Sequence, residues 1–87
     1  MIYISALYNV GKFKEWLGAF EENEKKRTQA GIRVENILRD KKNPNRIKVL
    51  MSIESIVAAE EYIELVSSPG ENELISPDEV EFWDVYY

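Results

Sequence analysis

The chain has 87 residues, 45% of them hydrophobic, and neither cysteine nor histidine, which excludes disulfide staples, thiol nucleophiles, imidazole bases and the commonest zinc and haem ligands. Its length suits one domain over residues 1–87, and a chain this short buries only about two-thirds of its unfolded surface, so association with a second copy is an expected source of further burial. The net charge of −5 argues against general nucleic-acid binding.

That charge is unevenly placed. All 11 Lys and Arg lie between Lys12 and Lys48, so that residues 1–48 carry +5 and residues 49–87, with 10 acids and no base, carry −10. No apolar run approaches the roughly 20 residues needed to span a bilayer, and Met1 leads into a strand pattern without a basic leader. A soluble, cytoplasmic protein with no membrane partner is expected.

The first element is "IYISALYN" at residues 2–9, β-rich and alternating, with Ile2, Ile4 and Ala6 on one face and Tyr3, Ser5 and Leu7 on the other. Asn9 or Gly11 can then cap a helix whose apolar positions Phe13, Trp16, Leu17 and Phe20 follow helical spacing, and Ala30-Gly31 supplies its left-handed stop. "IRVENILRD" (32–40) and "IKVLMSI" (47–53) read as strands joined by the turn residues "KKNPNR". Ser52 or Ser55 opens a second helix with Ile56, Ala59, Ile63 and Val66 on one stripe and Glu60, Glu61 and Glu64 mostly on another, broken by "SSPG". After a loop with Leu74, Ile75 and Pro77, "SPDEVEFWDVYY" reads as a last strand with Val80, Phe82 and Tyr86 pointing one way and Trp83, Val85 and Tyr87 the other.

The order βαββαβ predicts an α+β, ferredoxin-like sandwich: an antiparallel four-stranded sheet in the order 4-1-3-2 with two helices on one face. The other face carries Tyr3, Leu7, Leu50, Trp83 and Val85, a larger apolar patch than monomers usually expose, and a second sheet is expected to cover it. The charge split puts a basic edge (Arg33, Arg39, Lys41, Lys42, Arg46) and an acidic edge (Asp78, Glu79, Glu81, Asp84) at opposite sides of the sheet, where two-fold pairing makes each contact twice.

With "FKEWLGAFEENEKKRTQAGI" as first helix, the "NPN" turn at Asn43 to Asn45 and "AAEEYIELVSSP" as second helix, nearly the whole chain resembles the dimeric α+β barrel superfamily, which includes antibiotic-biosynthesis monooxygenase-like and stress-responsive A/B barrel proteins. The resemblance implies two ferredoxin-like subunits packed sheet to sheet, often around a cavity for a small organic molecule. It also implies a range of activities, from cofactor-free oxygenases and isomerases to haem degradation. The absence of His departs from the haem-degrading pattern.

Four groups invite a chemical reading. "IYISAL" looks like the first-strand signature of an RNA-recognition motif, but "RIKVLMSI" lacks the partner aromatics, so Tyr3 reads as a packing residue. Glu60, Glu61 and Glu64 have helical spacing rather than that of a calcium loop and read as a solvated face. Trp16, among aromatics at helical spacing, reads as core. The remaining group is the set of polar residues on the bare face: Ser5, Lys48 and Ser52 beside Tyr3, Leu50 and Trp83 form the candidate lining of a mostly apolar small-molecule site. Buried there, Lys48 could serve as a base or electrostatic anchor; reaching to the rim, it would only solvate the edge. No nucleophile–base pair, metal set or phosphate loop is legible, and no cofactor or metal is expected. The reading is a small homodimeric α+β barrel protein that is non-catalytic or binds a small hydrophobic molecule, the alternative being a cofactor-independent monooxygenase or isomerase acting on a small organic substrate.

Overall fold

A computed structural model describes residues 2–68 and 73–87. Strand β1 (Ile2–Asn9) is followed by helices α1 (Phe13–Glu22) and α2 (Glu24–Gln29), a hairpin of β2 (Ile32–Arg39) and β3 (Arg46–Ile53), helix α3 (Ile56–Val66), a 3-10 turn at Glu73–Ile75 and β4 (Glu79–Asp84). Among the described residues no helix is long and apolar enough to cross a membrane. The proposed "SSPG" helix stop falls partly outside them, at Pro69 and Gly70; α3 ends at Val66, with Ser67 as its cap residue.

The first helical segment differs from expectation at both its start and its middle. Neither Asn9 nor Gly11 caps it: the Val10 N–H donates to the Asn45 carbonyl at 2.8 Å, which ties that stretch to the hairpin, and Lys12 becomes the extended N-cap without a side-chain cap bond. The helix then breaks at Asn23, whose φ of −91° and ψ of 8° end α1 while its carbonyl accepts the Arg27 N–H at 3.1 Å and starts α2. Asn competes for backbone hydrogen bonds and is a poor residue for a helix interior. For α3 the cap is Ser55, whose Oγ accepts from the Ala58 N–H at 3.3 Å.

All strand pairs are antiparallel, and the order across the sheet is β2-β3-β1-β4, or β4-β1-β3-β2 from the other edge. Central β1 pairs with β3 from Ile2↔Ile53 to Asn9↔Arg46 and with β4 from Ile2↔Asp84 to Leu7↔Glu79. Ladder pairing ends at Asp84. Val85 therefore has no register position on the sheet, and Tyr86 and Tyr87 extend beyond it, fully exposed. In the hairpin turn the Asp40 carboxylate accepts the Lys42 and Asn43 N–H groups, which hold it below the usual carboxylate range, and pairs with Arg46 at 3.2 Å.

The core lies on one face only. Ile4, Ala6 and Tyr8 of β1 and Ile47, Val49, Met51 and Ile53 of β3 meet Trp16 and Phe20 of α1, Ala59 and Val66 of α3, and Ile75. Trp16 is the hub: its ring stacks on Phe20 at 4.9 Å and lies 5.1 Å from Tyr8 and 5.9 Å from Phe13. Such pairs add about 0.5–1.5 kcal/mol each beyond burial. Burial pushes the Tyr8 phenol well above the ordinary tyrosine range; nearby Tyr62 adds to the rise and Arg27 opposes it. Glu60, Glu61 and Glu64 are exposed, and no group of three or more potential metal ligands occurs among the described residues.

Gly31 links helix to sheet as the sequence implied, with a left-handed φ of 72°. Its N–H donates to Thr28 and its carbonyl accepts from the Glu54 N–H, while an added Cβ would sit 3.3 Å from the Glu54 Cβ. Gly31→Ala is expected to lower stability by about 1–2 kcal/mol, read from chemical denaturation, with no change of fold by circular dichroism.

Candidate functional site

The register of the three ladders arranges the side chains of the uncovered face in rows across the sheet. One row runs Trp83, Tyr3, Ser52, Arg33; the next Glu81, Ser5, Leu50, Asn36; the third Glu79, Leu7, Lys48, Leu38. Directly opposed residues in such rows have Cβ atoms about 4.5–5.5 Å apart, close enough to act together. All six candidates, Tyr3, Ser5, Lys48, Leu50, Ser52 and Trp83, share this face, and five of them fall within two adjacent rows.

Trp83 dominates it. The edge position of β4 leaves its indole 51% exposed, while its Nε1–H reaches inward to donate to the Ser5 Oγ at 2.8 Å. Ser5 is consequently 5% exposed despite lying on the face away from the core. Tyr3, Leu7 and Leu50 are half-buried, and Leu38 on β2 extends the apolar surface. Lys48 is exposed, in keeping with a side chain that reaches to the rim.

Glu35 was not foreseen as part of this face. Strict alternation places it beside Arg33 on this face; the ladder shifts register between Val34 and Asn36, so Glu35 is the extra residue of a β-bulge and the residues from Asn36 onward change sides. Its carboxylate accepts the Ser52 hydroxyl at 3.0 Å and lies 3.7 Å from the Arg33 Nε. The sequence signal was the run of Val34, Ile37 and Ile32, which share one face only if a residue is inserted between them.

Two of the hydroxyls of the face, those of the serines, are thus engaged: Ser5 accepts from an indole and Ser52 donates to a carboxylate. The basic edge is also partly committed within the chain. Arg39 lies over the Phe13 ring at 4.2 Å on the helix side, Arg46 pairs with Asp40 and Arg33 with Glu35, and on the acidic side Asp78 accepts from the Asn9 backbone and side chain. Glu79, Glu81 and Lys48 are the charges left on the open face without an ion pair.

No family model and no curated protein matches the chain. Solved structures do. SCO4226 from Streptomyces coelicolor A3(2) is similar with a TM-score of 0.59 at 13% identity, covering 91% of each chain. A candidate antibiotic biosynthesis monooxygenase from Nitrosomonas europaea is similar with a TM-score of 0.55 at 13% identity, covering 100% of both chains. The shared property is the ferredoxin-like α+β fold.

A double-mutant cycle of Ser5→Ala and Trp83→Phe measures the indole–hydroxyl bond. A coupling of about 0.5–1.5 kcal/mol is expected from urea unfolding, the usual net contribution of one hydrogen bond; additive single effects would mean that the bond contributes nothing to stability.

Proposed function

We propose that two copies of the chain pack their open sheet faces together and hold a small hydrophobic molecule between the sheets, near Tyr3, Ser5, Lys48, Leu50, Ser52 and Trp83, and that the protein acts by binding it. The observation that carries this reading is the half-exposed Trp83, fixed by Ser5 amid Tyr3, Leu7, Leu38 and Leu50 on a face that the helices leave bare. Apolar patches of this kind on a small chain mark interfaces or ligand surfaces, and a mostly apolar lining with a few hydroxyls suits a small organic ligand.

The occupant is a second copy because the face is complementary to itself. A two-fold axis running along the strands between the sheets sets β4 of one subunit over β2 of the other. The acidic Glu79 and Glu81 column then faces the side of its partner that carries Arg33 and Lys48. Such exposed pairs contribute about 0–1 kcal/mol each, so they set register while the apolar rows supply affinity. Residues 1–87 form a single domain in this reading.

Binding is favoured over a cofactor-independent monooxygenase or isomerase activity because Ser5 and Ser52 are already held by Trp83 and Glu35, and Lys48 lies in solvent. Likeness of fold to a candidate monooxygenase does not assign chemistry.

Trp83→Ala is expected to weaken dimerisation by about 2 kcal/mol or more, some 30-fold in the dissociation constant, without unfolding the chain. Sedimentation equilibrium reads this directly, and a wild type that stays monomeric at high concentration would falsify the interface. Native mass spectrometry of freshly purified protein should show dimer mass plus a small-molecule increment; Lys48→Met should change the retention of that molecule while leaving the fold intact, and unchanged retention would remove Lys48 from the lining.

A further inference from the structure

On the helix side of the sheet, α1 and α2 stand away from the β2 edge and leave an open groove of about 810 Å³. Its walls are apolar where they are deepest, with Phe20, Ile32, Val34, Ile37 and Ile53. Arg27 also lines it, and Arg27 is 4% exposed. The volume falls within the roughly 300–1,000 Å³ range of small-ligand sites.

A buried guanidinium without a carboxylate is unusual, since Arg is almost never fully buried unless paired. Here one nitrogen, Nη1, donates to the Phe20 carbonyl at 2.6 Å, and the guanidinium lies over the Phe20 ring with its central carbon 3.7 Å from the centroid. The ring and the carbonyl hold the group in place without neutralising it. No ion pair reaches Arg27 among the described residues, and of its five N–H donors only Nη1 is engaged. The planar fork of a guanidinium matches a carboxylate or sulfonate in two-point fashion.

The other charges around the groove narrow the choice. Glu21, Glu24 and Glu54 stand exposed at its rim, opposed by Arg33, whose Nε already faces Glu35. Three exposed carboxylates repel a polyanion such as a nucleotide or a sugar phosphate before it reaches the floor. A single negative charge carried on an apolar body can pass them, because its tail is drawn to the aliphatic wall and its head to a desolvated cation.

We propose that this groove is a binding site for an amphipathic monoanion, a carboxylate with a chain or ring of apolar carbons, whose charged head pairs with Arg27 and whose body lies along Phe20, Ile32, Val34 and Ile37. The groove reaches round the β2 edge, where Arg33 and Ser52 of the open face also line it, while Arg27 and the apolar wall lie on the helix side.

The test uses two fluorescent probes that differ only in charge: 8-anilinonaphthalene-1-sulfonate and its neutral counterpart N-phenyl-1-naphthylamine. Arg27→Gln is expected to weaken sulfonate binding about tenfold or more, the loss of a charge-assisted contact, while neutral-probe binding stays within about twofold. Decanoate should displace the sulfonate from the wild type. Thr28→Trp, which fills the groove from its α2 wall and keeps Arg27, should weaken both probes. Equal sulfonate affinity in wild type and Arg27→Gln overturns the proposal, as does sulfonate binding that is indifferent to Thr28→Trp or to decanoate. Near-UV circular dichroism checks that each variant is folded, and should Arg27→Gln not fold, the Thr28→Trp and decanoate measurements decide alone.

Discussion

The structure depends on a central strand that has two apolar sides and only one layer of helices to cover them. β1 lies between β3 and β4, so both of its faces are in the middle of the sheet. On one side Ile4, Ala6 and Tyr8 are sealed by the stacked Trp16 and Phe20. On the other, Tyr3, Ser5 and Leu7 have only their cross-strand neighbours and the Trp83 indole for cover. Everything of functional interest follows from how that asymmetry is resolved.

On the covered side, the limiting factor is helix geometry. The break at Asn23 turns six further residues into α2 and brings Arg27, seven positions after Phe20, onto the same stripe as Phe13 and Phe20. An aromatic face supplies a surface on which a guanidinium can rest, at an attraction of about 2 kcal/mol when desolvated. That does not supply a counter-charge. The unpaired charge beside an apolar groove is therefore one that a bound anion would pair. Trp16 presents a related cost: its buried Nε1–H has no acceptor among the described residues.

On the open side, packing and polarity are matched differently. The Trp83–Ser5 bond ties a large ring to the central strand, which lowers the entropy lost when that ring is buried by something else. The Glu35 carboxylate accepts from Ser52 and pairs with Arg33, so both serines at the apolar centre are already matched within the chain. A face prepared in this way can be desolvated at smaller cost, which suits association or ligand binding.

Local pattern was enough to determine the strands, the hairpin, the left-handed Gly31 and the division of β1 and β3 into two faces, because alternation and helical spacing are properties of neighbouring residues; it left the second helix's cap open between Ser52 and Ser55, and the structure has Ser55. It also sufficed to gather Tyr3, Ser5, Lys48, Leu50, Ser52 and Trp83 on one face, since period two and antiparallel pairing leave no other arrangement. What those residues do to one another was decided only by the tertiary structure. The Ser5–Trp83 bond spans 78 positions and the Ser52–Glu35 bond 17. Strand β4 ends at Asp84, and Val85 lies past the last ladder pair among the described residues. Arg27 is the sharpest case: its spacing from Phe20 was visible, but charge argued for solvent, and only the close approach of a ring, a carbonyl and the β2 edge made burial of that side chain the lower-energy choice.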